Sequence, residues 1–298
     1  LRLIESLVAG MPRLVIGVSQ ADASTLRVKG VWESSGDVAS YLQRLAAPVP
    51  GVGAATPALL TMGMGVDLPQ LRNGIEALLR EIIEQGSSCE WVEPEKIEAI
   101  IPQLSLVLGP LTAGIKGFNL QIDNIALNAD TFAPEAVEAS LLAAVDDPRG
   151  VVALGGMVDP ALAALEIPMD GTPVELPSDL LPNQSTPPLK VAIRDKALVL
   201  LSGDATHAKV KALLDAETLA PPPLFAVDYG VRQLVQLLGQ VLSRAADEMT
   251  AQGETELAAQ LAAQLDDMRA QATLFERVKI SIYANAEGLV MDQAMQLR

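Results

Sequence analysis

A chain with a single histidine, His207, and a single cysteine, Cys89, has few routes to acid-base or nucleophilic chemistry. Any Ser-His-Asp or Cys-His system would have to use His207. That residue falls in the first turn of a predicted surface helix, beside Thr206 and Asp204, where solvation is the simpler reading. One cysteine permits no internal disulfide and no thiolate metal cluster. Cys89 stands next to Glu90 with Glu93 close by, neighbours that disfavour a thiolate. A histidine-based metal site is excluded by count. An all-carboxylate site is not, but the acidic pairs Asp146-Asp147 and Asp266-Asp267, and Glu93 with Glu95, lack the alternating Asp pattern of a calcium loop.

Three further scarcities narrow the class. Aromatic residues make up 3% of a chain that is 50% hydrophobic, so its core is built from Leu, Val, Ile, Ala and Met. Basic residues number 21 against 37 acidic ones, a net charge of -16 that repels phosphate backbones and anionic membrane surfaces. Uninterrupted apolar runs are also missing. Residues 45–66 carry Pro48, Pro50 and Pro57, and residues 99–115 carry Pro102 and Pro110, so neither suits a spanning helix. Gly63-Met64-Gly65 lacks the third glycine of a dinucleotide site, and 150–156 lacks the Lys-Ser/Thr of a P-loop, so no cofactor is expected. The chain opens Leu1-Arg2-Leu3-Ile4, which is read as a start partway into a longer product.

What is present is repetition. Val66-Asp67 leads into Leu71-Arg72, and Val227-Asp228 leads into Val231-Arg232. With Leu71 set against Val231, Ile75, Leu78 and Ile82 fall in step with Val235, Leu238 and Leu242, one face of a helix in each case. Ser35-Gly36-Asp37 and Ser202-Gly203-Asp204 each open a helix before these segments, and Ile115-Lys116 and Val278-Lys279 each open a strand after them. Both copies read ββαβααββ. The expected fold is therefore α+β, two tandem copies of this unit, each an antiparallel-dominated sheet with helices on one face. Residues 1–145 form the first repeat and 189–298 the second. Between them, 146–188 supply an apolar helix with Pro160 near its middle and a proline-rich segment.

Two candidate sites follow. Asp67, Arg72, Asp228 and Arg232 are the repeated charges, a paired polar site on a pseudo-twofold axis. The simpler reading, a helix cap followed by a first-turn arginine, is preferred. Segments rich in methionine and small residues place Met62, Met64, Val107, Leu111, Val152 and Met157 around a candidate apolar pocket. The leading functional expectation is a non-enzymatic binding or scaffolding protein, periplasmic or otherwise extracytoplasmic, with the cytoplasm as the other option. Its partner is expected to be a protein or an apolar small molecule, not nucleic acid. A carrier of a lipid or acyl chain is the alternative, and a carboxylate-based hydrolase the third.

Overall fold

The first hairpin is fixed by one carboxylate. Asp22 Oδ1 accepts the backbone N–H groups of Ser24 and Thr25, each at 2.9 Å, closing the turn between β1 (Arg13–Ala21) and β2 (Thr25–Glu33). With Gln20 and the Ser24 hydroxyl donating as well, these bonds hold the Asp22 carboxyl down at about 2. The computed structural model describes residues 13–85, 94–107, 114–128, 134–177, 188–203 and 206–298. After β2 come α1 (Gly36–Leu45), β3 (Leu60–Gly65), the helical hairpin α2 (Leu68–Gln85) and α3 (Pro94–Val107), and β4 (Ile115–Leu127) with β5 (Pro134–Val145). The middle of the chain forms α4 (Pro148–Val158), α5 (Pro160–Ala163) and the short β6 (Val174–Glu175). The remainder is β7 (Leu189–Arg194), β8 (Ala197–Ser202), α6 (His207–Leu214), β9 (Pro223–Gly230), α7 (Val231–Ala251), α8 (Thr255–Leu274), β10 (Phe275–Asn285) and β11 (Gly288–Leu297).

The predicted hairpins, helices and strands are thus found, but their assembly differs from the expectation of two sheets. Among the described residues, eleven strands join one antiparallel sheet in the order β1-β2-β11-β10-β9-β3-β4-β5-β8-β7-β6. The hairpins have crossed over: β2 pairs with β11, and β8 pairs with β5. The joint is β3 against β9, with Gly63 opposite Ala226. Hydrophobic alternation specifies which face a strand buries, not which neighbour it takes, so periodicity could not reveal the exchange.

Helices also lie on both faces rather than one. The first face carries Gly63 and Gly65 of β3 with Asn119, Leu142, Val199 and Ala226 of neighbouring strands. Here Val210 and Leu213 of α6, and Val49 and Val52 of the loop 46–59, make a core with Leu142, Val199, Leu201 and Ala226. Those side chains are almost fully buried, each valine and leucine among them worth about 1.5–3 kcal/mol. The loop reaches this depth because β3 offers glycines. A Cβ on Gly63 would sit 2.5 Å from Val52, and one on Gly65 only 2.1 Å from the Ala47 carbonyl oxygen. On the opposite face, Val231 and Val235 of α7 and Ala272 of α8 pack on Val278, Tyr229, Ile280 and Met295.

One predicted core position is corrected. Leu78 is 38% exposed and Leu238 half-buried, because α2 and α7 turn their predicted stripes only partly toward other structure. Leu78→Ala should therefore cost under about 1 kcal/mol, well short of a core leucine. Urea unfolding of the variant beside the wild type checks this.

Candidate functional site

Two polar clefts open where central strands run out. In the first, Asp67 ends the β3 segment and caps α2, accepting the Gln70 N–H at 3.0 Å. Lys116 at the start of β4 donates to Asp67 Oδ2 at 2.8 Å and lies 3.4 Å from Asp146. Lys196 reaches the same Asp146 at 3.6 Å, while Arg194 meets Asp195 at 3.5 Å and Asp215 at 4.0 Å. These groups, with Ala46, Pro48 and Leu214, enclose about 470 Å³. Partial burial works against the charge on Asp67. The Lys116 and Gln70 hydrogen bonds outweigh it and hold the carboxyl below its ordinary value. The same Asp67 bond raises Lys116.

The second cleft, about 460 Å³, is lined by Ser24, Thr25, Thr56, Asp228, Arg277, Lys279 and Gln296. Arg277 Nε donates to Asp228 Oδ1 at 2.5 Å, and its Nη2 donates to the Ala58 carbonyl at 2.8 Å. Asp228 is 4% exposed. Burial pushes its carboxyl up, against the opposing pull of Arg277 and Lys279. Asp228 is therefore no helix cap. It lies within β9, and Gly230 occupies the N-cap of α7.

The structure does not bring the predicted arginines to these acids. Arg72 turns along its own helix to Asn73 and Glu76. Arg232 is exposed on α7. The partners are Lys116 and Arg277, which the residue pattern passed over. A signal existed: each base follows its acid by 49 positions. In both clefts the acids are paired with bases, an arrangement that ties strand ends together.

Of the predicted apolar pocket, four side chains are described. Met62 and Met64 sit on β3, half-buried, on the face opposite the glycines. Val152 is half-buried on α4, but Met157 on the same helix is 82% exposed. Leu111 and Cys89 lie outside the described residues, as does the side chain of Val107. His207 is exposed at the start of α6. Asp147 caps α4 through the Gly150 N–H at 3.0 Å, and Asp266 pairs with Arg269.

What the sequence missed is the extent of the surface around Met62 and Met64. Strand register places Met64 beside Phe118 and Phe225, and Met62 beside Leu120 and Val227. The same face continues through Ile282, Met291 and Ile16 on one side and through Leu141 and Leu200 on the other. From β1 to β8 these side chains are half-buried or exposed, while their alternates in β3, β9 and β8 are buried. Comparison with protein-family models, with curated proteins and with solved structures finds no match for this chain.

Proposed function

We propose that the chain is a non-enzymatic binding protein whose working surface is this apolar sheet face, and that its ligand is a lipid or acyl chain. The observation that carries the reading is the contrast between the faces: one sealed by the loop 46–59 and α6, the other aliphatic and half-buried or exposed across the nine strands from β1 to β8, with α7 and α8 packed on it at Tyr229, Val278, Ile280 and Met295. A contiguous apolar surface of that extent marks an interaction site. Methionines at 62, 64 and 291 give it adaptable contacts, and the row of strands from Met291 to Leu200 places no charge on it. An acyl chain asks for such a surface and little else, each buried methylene contributing about 0.8 kcal/mol. An extracytoplasmic location belongs to the same reading.

A tandem origin of the two halves is also part of this proposal, supported by the strand order. Counting outward from the β3–β9 joint, either side meets the strands of one half in the sequence third, fourth, fifth, and then the crossed-over hairpin of the other half. The helix caps agree once the alignment is moved. Four residues beyond Gly63 stands Asp67, and four beyond Ala226 stands Gly230.

Native mass spectrometry of purified protein should detect copurified lipid, and a fluorescent fatty acid should be displaceable. Met291→Glu, at a position 39% exposed, should weaken the probe about tenfold, roughly 1.4 kcal/mol, with an unchanged circular dichroism spectrum. Neither lipid nor displaceable probe would end the lipid reading and leave a scaffold for a protein partner.

A further inference from the structure

We propose that the outer edge of β1 docks a second copy of this chain, antiparallel and centred on Ile16, so that two sheets become one. Every residue of β1 is exposed, and the strand has no neighbour beyond it among the described residues. Leu14, Ile16 and Val18 are 57%, 60% and 63% exposed on one face, and Val15 is 44% exposed on the other. A free edge offers a row of backbone donors and acceptors, and proteins usually blunt such edges with charge, proline or brevity. The far edge of this sheet is blunted: β6 is only two residues long, and β7 beneath it is buried at Val191, Ala192 and Ile193. β1 is nine residues long, and its one charged residue, Arg13, is tied back to Glu33 across the hairpin.

The occupant follows from self-complementarity. An antiparallel pairing about Ile16 sets Leu14 against Val18 of the second copy, Ile16 against its own counterpart, and Val18 against Leu14. A two-fold contact of this kind uses the same patch on both partners. Directly opposed side chains then approach to about 4.5–5.5 Å between Cβ atoms. The register also ends short of the bulge between Val18 and Gln20, whereas a centre on Gly17 would bring Leu14 against Gln20 and run into it. Charge does not oppose the contact. The chain carries -16 overall, but the hairpin 13–33 holds Arg13, Arg27 and Lys29 against Asp22 and Glu33. Because the axis stands perpendicular to the sheet, the two apolar faces lie on the same side and run together.

Sedimentation equilibrium of the intact chain tests the proposal without lipid, so its failure and that of the lipid reading are separable. The wild type should show twice the mass of the 31.3 kDa chain, and Ile16→Lys/Val18→Lys, at two exposed sites, should show the single mass. In a Cys89→Ser background, Ile16→Cys should crosslink to itself under mild oxidation and Val15→Cys should not. A monomeric wild type, or a dimer that survives the double lysine variant, overturns the docking site. Crosslinking at position 15 in preference to 16 overturns the register.

Discussion

Gly65→Ala should destabilise the protein by about 3 kcal/mol, at the upper end of what overpacking costs. The added methyl would lie 2.1 Å from the Ala47 carbonyl oxygen and 3.0 Å from that of Pro223. Both obstacles are backbone, and both are pinned. Ala47 N–H donates to Gly65 O at 3.1 Å, and Pro223 begins β9. Relief would require lifting the loop 46–59 from the sheet and uncovering Val49 and Val52. The neighbouring Met64→Ala should cost only about 1 kcal/mol, since Met64 is half-buried on the open face and the cavity term largely vanishes there. Adding one methyl on one side of β3 is thus expected to harm more than removing a side chain from the other. Chemical unfolding of both variants gives the comparison, and equal losses would show that the open face is packed as tightly as the closed one.

This asymmetry was only half legible in the sequence. Thr61-Met62-Gly63-Met64-Gly65 reads as a strand of alternating small and large residues, and that alternation is what the structure realises. Which face would be sealed was not readable. The seal comes from a proline- and glycine-rich loop that propensity treats as a mere connection. The strands and the helix cap at Asp67 were readable, because alternation and capping are local, whereas Ser35 stands at the N-cap position of α1 without a side-chain bond to it. Strand partners were not. Leu26 and Met295 meet across 269 positions through register alone, and nothing local distinguishes β11 from β1's own half as the neighbour of β2. The polar site was misjudged for a related reason. Arg72 and Arg232 lie near their acids in sequence, but a helix carries first-turn side chains away from a strand end, while the adjacent strand brings Lys116 and Arg277 across.

Asp228→Ala should cost about 3 kcal/mol, through the cation it strands rather than the pair it breaks. Removing one partner of a buried ion pair leaves the other uncompensated, at about 3–5 kcal/mol, and the lower figure applies because Arg277 is 20% exposed and keeps the Ala58 carbonyl. If that cause is right, adding Arg277→Met to Asp228→Leu should restore much of the loss, and a double-variant cycle would measure the coupling. The pH response separates this acid from Asp67. Burial raises the folded carboxyl of Asp228 above 3.8, so the native state holds that proton more tightly than the unfolded chain. Its titration therefore favours folding below the unfolded value, and this contribution is lost as pH rises through the raised folded value. Asp67 is lowered, so its contribution is present above the unfolded value and is lost as pH falls through the folded one. Against Asp228→Asn, the wild type should gain relative stability as pH is lowered through the weakly acidic range. Against Asp67→Asn it should lose relative stability on acidification below the ordinary carboxylate value. Urea midpoints across that range decide it, and differences of the same sign for both variants would mean that Asp228 is held as a charge by Arg277 and Lys279 rather than burdened by its burial.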